Sequence, residues 1–322
     1  MKEQHLRLPR NMTFFHRSYF SPLARPFFVV AIVNIQVIAL LAFFAAVPNA
    51  SALPPQEKFV RISTTDTGAS KALEVAISDY QIGGKTVSLV SAIHVADKDY
   101  YDQLNGMFKN YDLVLYELVA PKGVKPDPHV KRAGFLNWLQ ETFAKLLQVS
   151  LQLEEVDYSP NNFVHADASF DELIAEGERR GETLFSFLLK VISDIFRAQE
   201  ALQNVPFQPK NQADALAVYF NPQRRREFLA QSLAFFSEKS GLPGLEALEP
   251  YILDFRNARV IEVLKEQLKR RKKKSYAIFY GAAHMPDLEK RIIAELHAER
   301  LDTEWIPAWK LASDTPLAVA QN

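Results

Sequence analysis

Apolar positions along the chain follow three different rhythms, and each predicts a different kind of element. Phe27 to Val47 is an almost unbroken apolar run. Leu73 to Ser78 and Thr86 to Ser91 are short stretches rich in Val, Ile and Leu on either side of Gly83-Gly84, the pattern of two strands joined by a tight turn. From about Asp127 to Lys274 strand signal almost vanishes, and apolar residues recur at helical spacing, as in Phe135 to Leu153 and Phe185 to Ala201.

Between and after these lie further predicted elements. Asp97 to Lys109 has helical spacing and Asp112 to Glu117 is strand-like. A helix is expected over roughly Glu249 to Arg271, a strand over Tyr276 to Tyr280, a helix over Pro286 to His297 and a strand over Thr303 to Leu311. Two helix starts are explicit. Ser169-Phe-Asp-Glu172 has the form of a capping box, and Asn221-Pro222 sets a capping side chain before a proline suited to the first helical position. Together the elements predict an α/β protein with a mixed or parallel sheet and a large helical insertion at about 127–250.

The continuous run changes the picture at the N-terminus. Residues 1–26 carry Lys2, Arg7, Arg10, Arg17 and Arg25 against one acid, Glu3, so 27–47 reads as a transmembrane or signal segment with a cytoplasmic basic flank. At about 1.5 Å per residue the run reaches roughly 30 Å, enough to cross a bilayer. Ala50-Ser51-Ala52 has the small-x-small form of a cleavage site, so anchoring and secretion after cleavage near Ala52 both remain open. The proline-bearing stretch 48–60 reads as a linker, and 61–322 as the folded domain, expected to be extracytoplasmic.

Composition narrows the chemistry. Lys plus Arg and Asp plus Glu both total 38, so no global field favours a polyanion, and nucleic acid is not expected as a partner. The chain has no cysteine, which limits any metal site to His, Asp, Glu, Asn and backbone oxygens. The basic run Lys269 to Lys274 ends a helix, where cations complement the dipole and stay solvated.

The candidate chemistry comes from an internal repeat. Val87 to His94 and Tyr276 to His284 are both apolar strands that end in a small residue, Ser91 or Gly281, three positions before a histidine. Asp97 and Asp287 follow the histidines at the same offset and are expected to cap the next helix, and Asp112 and Asp302 follow at a second shared offset, at the entry to the next strand. Two strand-helix-strand units should bring both imidazoles to the carboxyl edge of one sheet. Glu117 ends the second strand of the first unit and should deliver a carboxylate there, while Pro307 stands at the matching place in the second. His94, His284 and Glu117 fit either a divalent metal site or a metal-free acid-base pair.

These residues resemble the TraB/PrgY/GumN/TIKI superfamily, marked by two Gly-x-x-His motifs with a glutamate after the first. Gly281-Ala-Ala-His284 matches as it stands, Ser91-Ala-Ile-His94 has serine for the glycine, and Asp254-Phe-Arg-Asn-Ala-Arg259 is similar to the family's late helix motif. The resemblance covers about residues 70–312. It implies a fold of the erythromycin-esterase and ChaN-like type. It also implies a metal-dependent hydrolase, a peptidase in the animal members, acting on a peptide or small-molecule substrate. His94, Glu117 and His284 become ligands of a divalent ion or acid-base groups, Glu117 also being a catalytic residue, and Arg256 and Asn257 become supporting or oxyanion-stabilising residues. His165, in Asn162-Phe-Val-His165-Ala-Asp167, is a further site candidate with Ser91 and Gly281, and Asp167 is as well read as a turn acceptor. Other members bind or sequester peptide pheromones at the membrane, so a non-catalytic binding protein is the alternative.

Overall fold

The computed structural model describes residues 59–66, 68–126, 150–183, 211–238 and 249–311, with isolated positions between 186 and 209. The predicted basic flank, the apolar run 27–47, nearly all of the linker and much of the insertion lie outside the described residues. No helix among the described residues is long and apolar enough to cross a membrane.

The protein is mixed α/β around a central sheet whose middle strands are parallel. Strands β1 (Val60–Thr64), β2 (Ser70–Ile82) and β3 (Lys85–Ala92) come first. The predicted turn between β2 and β3 is Gly83-Gly84, with φ of 51° and 78°. Two consecutive left-handed residues fit the two-residue hairpin turn that matches strand twist. After the short β4 (Val95–Ala96), helix α1 (Lys98–Phe108) leads to β5 (Leu113–Tyr116). Strand β6 (Ser150–Leu151) runs into the single turn α2 (Gln152–Glu155), and β7 (Phe163–His165) precedes α3 (Phe170–Arg179). Helices α4 (Gln212–Phe220) and α5 (Pro222–Glu238) follow, then α6 (Phe255–Leu268), entered through a π-turn at Pro250–Asp254. The chain closes with β8 (Ser275–Gly281), a 3-10 turn at Ala282–His284, α7 (Met285–Leu296) and β9 (Glu299–Lys310).

Both sequence-predicted caps are present. Ser169 and Glu172 exchange side-chain bonds with each other's backbone N–H at 3.2 and 2.7 Å, and Asn221 Oδ1 accepts from the N–H groups of Gln223 and Arg224 at 2.9 and 3.1 Å. Other expectations need correction. The stretch read as strandless contains β6 and β7, too short to show a period, and β7 pairs with β5 in the main sheet. Asp97 does not cap α1 with its side chain. Its carboxylate accepts from Lys310 N at 2.8 Å and from Arg226, which joins α5 to β9. Asp287 lies inside the first turn of α7, whose N-cap is His284, and Asp302 lies within β9 rather than at its entry.

Order across the sheet explains where a site can form. Parallel pairs run β3–β8–β5–β7, while β2 is antiparallel to β3 and to β9, so β9 points the same way as β3 and β8. Successive strand residues face opposite sides. Val90 and Phe279 accordingly enter one core layer with Tyr100, Tyr101, Leu104 and Phe108 of α1, while Leu89 and Ile278 enter another with Met285, Leu288 and Ile292 of α7. The crossover from β3 passes β8 to reach β5 through α1 on one face. The crossover from β8 passes β3 and β2 to reach β9 through α7 on the other. Opposite steps on opposite faces share one hand, as β-helix-β connections require. Adjacent strands whose crossovers leave on opposite faces open a crevice at their carboxyl ends, where α/β sheets bind ligands.

Candidate functional site

That crevice holds the predicted residues. In β3 and β8 the pairing is Ser91 with Tyr280 and Ala92 with Gly281, so the two motifs leave the sheet side by side. Tyr116 pairs with Phe279, and Glu117 N donates to Phe279 O at 3.1 Å, which sets the Glu117 side chain beside Gly281. A Cβ placed on Gly281 would lie 3.3 Å from Glu117 Oε2, 3.3 Å from His94 Nε2 and 3.7 Å from His284 Cδ2. Glycine at 281 is thus demanded by space and not by torsion, since φ there is −51°. The chain lies close enough for its N–H to donate to Glu117 Oε2 at 2.7 Å.

Each side chain is held from behind. His284, buried on the 3-10 turn, meets Asn257 Oδ1 through Nδ1 at 2.7 Å and stands with Nε2 3.5 Å from Glu117 Oε1. Asn257 is on the buried face of α6, and its amide nitrogen donates to Asp287 Oδ2 at 2.8 Å and, at 3.4 Å, to His284 O. Asn257 therefore grips the imidazole and its turn, and its donor is already engaged, so the geometry gives it a holding role in place of oxyanion stabilisation. Half-buried His94 meets Gln152 Oε1 through Nδ1 at 2.9 Å, and Gln152 Nε2 reaches Tyr158 Oη at 3.0 Å. The two-residue pairing of β4 with β6 puts Gln152 there, since Gln152 N donates to His94 O at 2.9 Å. Tyr100 and Tyr101 of α1 donate to the carbonyls of Ser91 and Ile93 at 3.0 and 2.9 Å and pin the loop that carries His94.

Arg256, one turn ahead of Val260 on α6, binds two carboxylates. Its Nη2 donates to Glu117 Oε1 at 2.5 Å and to Asp167 Oδ2 at 2.6 Å, and its Nε to Asp167 Oδ1 at 2.9 Å. Burial alone would push Glu117 up. The Arg256 guanidinium, followed by His284 and His94, outweighs it and holds the carboxyl well below its usual range. Burial likewise lowers Arg256, and Asp167 and Glu117 lift it well above the ordinary value. At neutral pH the centre of the site is therefore an ionised carboxylate clamped by a guanidinium.

The remaining candidates sit nearby in different roles. His165, at the carboxyl end of β7, packs tilted by 50° against Tyr116 with ring centres 5.6 Å apart and bonds Leu118 O at 2.6 Å, supporting the residue after Glu117. Ser91 is fully buried, and its Oγ has no partner among the described residues. Gln152, Tyr158 and Asp287 join the network without having been read as site residues, and Asp167 joins it while also accepting locally from Ala168 N at 2.7 Å. Asp167 was the one with a signal, two residues beyond His165, and there the local turn reading competed with it.

The donor types suit a divalent cation: two imidazole nitrogens and a carboxylate, each imidazole backed by an amide, as metal-bound histidines usually are. Their spacing does not, because no group of three or more His, Asp or Glu among the described residues is arranged to hold an ion. The fit is one of chemistry, and closing on an ion requires the side chains to move. No protein-family model, curated protein or solved structure matches this chain.

Proposed function

We propose that the chain is a hydrolase of carbonyl substrates, peptide bonds foremost, of the TraB/TIKI type. One observation carries the reading: two imidazoles from distant parts of the sequence meet one buried, guanidinium-held carboxylate at the switch point of an α/β sheet. His94 is the more exposed imidazole and faces substrate. Water attacking the carbonyl gives its proton to His94 Nε2, and the leaving group takes that proton back, while Glu117 stabilises the imidazolium formed in between. Arg256 and the Gly281 N–H hold Glu117 in place. A divalent ion would be held by His94 Nε2, His284 Nε2 and Glu117, and would supply Lewis acidity and a more acidic water.

We also propose that β3–α1–β5 and β8–α7–β9 are copies of one unit, and that the domain lies outside the cytoplasm behind the segment 27–47. The matched motifs and the basic flank support these two points.

The test is a full-chain preparation in detergent, assayed for bound metal and for hydrolysis of peptide and ester libraries with and without chelator. Turnover that His94→Ala and His284→Ala each reduce at least 100-fold supports the hydrolase, and turnover unchanged in both rejects it. Peptide retained without turnover would support the binding protein instead. That reading is favoured by the full engagement of Glu117, both of whose oxygens already accept hydrogen bonds from Arg256 and Gly281.

A further inference from the structure

We infer that Asp287 is a positioning residue for His284: through the Asn257 amide it fixes an imidazole proton on Nδ1 and sets Nε2 as the atom that faces Glu117. The inference rests on the hydrolytic reading for its kinetic consequence, but not for its structural one. A carboxylate offers only acceptors, so Asp287 Oδ2, 2.8 Å from the Asn257 amide, selects the nitrogen of that amide far more firmly than the His284 carbonyl does at 3.4 Å. The amide oxygen is then the atom facing His284 Nδ1 at 2.7 Å, and an amide oxygen can only accept. The proton must be on Nδ1. Nε2, 3.5 Å from Glu117 Oε1, is left to receive a proton, a water hydrogen or a metal ion.

Arg291 fixes the first link. Its Nε donates to the same Asp287 oxygen at 2.6 Å, one turn along α7, so that oxygen is held toward Asn257. Histidine and lock thus share the start of one helix, and α6 supplies only the amide between them.

The other imidazole lacks such a lock. Gln152, behind His94, is anchored by the hydroxyl of Tyr158 at 3.0 Å, and a hydroxyl both donates and accepts, so either orientation of that amide can be satisfied. Removing Asp287 should accordingly disturb one histidine of the pair and leave the other unchanged.

The experiment uses the full chain in detergent with 15N-labelled histidine; seven histidines keep the spectrum tractable. Multiple-bond proton–nitrogen couplings, recorded at a pH where the rings are neutral, report which nitrogen carries hydrogen. The wild type should show His284 protonated at Nδ1. Asp287→Ala should scramble that pattern and leave His94 as it was, and should lower kcat for peptide hydrolysis roughly 10- to 100-fold with KM little changed. Asp287→Asn should restore both, because Arg291 directs the new side-chain oxygen to the place of the old one. A His284 proton on Nε2 in the wild type, or an unchanged pattern in folded Asp287→Ala, overturns the inference. A wild type that shows the Nδ1 pattern and hydrolyses nothing removes the hydrolase reading and leaves the lock standing.

Discussion

Replacing Arg256 with Met isolates what the guanidinium does for the buried carboxylates. The substitution keeps the aliphatic stem and removes three hydrogen bonds of 2.5, 2.6 and 2.9 Å. The carboxylates left behind are almost inaccessible, with side-chain exposures of 7% for Glu117 and 0% for Asp167. Breaking a buried pair by removing one partner costs about 3 to 5 kcal/mol, and two stranded acceptors set the expectation near the upper end. Folded domains hold only about 5 to 15 kcal/mol in total, so the variant should be on the margin of folding at neutral pH.

The loss must depend on pH in a particular direction. In the wild type the Glu117 carboxyl is held well below its usual range, so its contribution is complete above that range and lost only as pH falls through the depressed value. Without Arg256, burial is opposed only by His284 and His94, so the Glu117 value rises relative to the wild type, and the penalty is present above that higher value and relieved as pH falls through it. The gap between wild type and variant should therefore narrow by up to about 1.4 kcal/mol per pH unit below the variant's value. Urea unfolding at about pH 7.5 and about pH 5, analysed by linear extrapolation, reads this directly. A second measure comes from Glu117→Gln combined with Arg256→Met, which should be less destabilised than Arg256→Met alone. A loss below about 1 kcal/mol, or one equal at both pH values, refutes the account of the clamp.

Two further outcomes follow from the geometry. Gly281→Ala sets a methyl 3.3 Å from both Glu117 Oε2 and His94 Nε2, so those groups must move by a few tenths of an ångström. Stability should fall by about 1 to 3 kcal/mol and turnover more steeply; retained activity with unchanged melting would show that the cleft is looser than described. Tyr101→Phe leaves the Ile93 carbonyl without its donor at 2.9 Å in a fully buried place and should cost about 1 to 3 kcal/mol in urea unfolding. A loss of activity beyond the loss of folded protein would show that the His94 loop had shifted, and no change in either would remove the tyrosine's pinning role.

The sequence by itself determined the local elements and named the residues that meet in the cleft. The Val-, Ile- and Leu-rich runs of β2 and β3, the Gly83-Gly84 turn and the capping box at Ser169 are encoded by neighbours within a few residues, where propensity and pattern suffice. The matched motifs also point to His94 and His284, with Glu117 at the end of the next strand, because a small residue and a histidine at strand ends are visible without coordinates. Short elements were hidden. Neither Ser150–Leu151 nor Phe163–His165 is long enough to display a period, yet the first positions Gln152 and the second extends the sheet. Asp97 stands at the N-cap of α1 as expected, but its carboxylate bonds Lys310 and Arg226, and Asp287 lies inside the first turn of α7, where it bonds Asn257 as well as nearby Arg291. What a carboxylate or amide does depends on which donors packing brings within 3 Å, and Asp167 keeps its local acceptor role to Ala168 N while also binding a guanidinium 89 positions along the chain. Only the tertiary structure could decide that Arg256 holds Glu117 and Asp167 together, because hydrogen bonds between distant elements leave no periodic trace in the sequence of either.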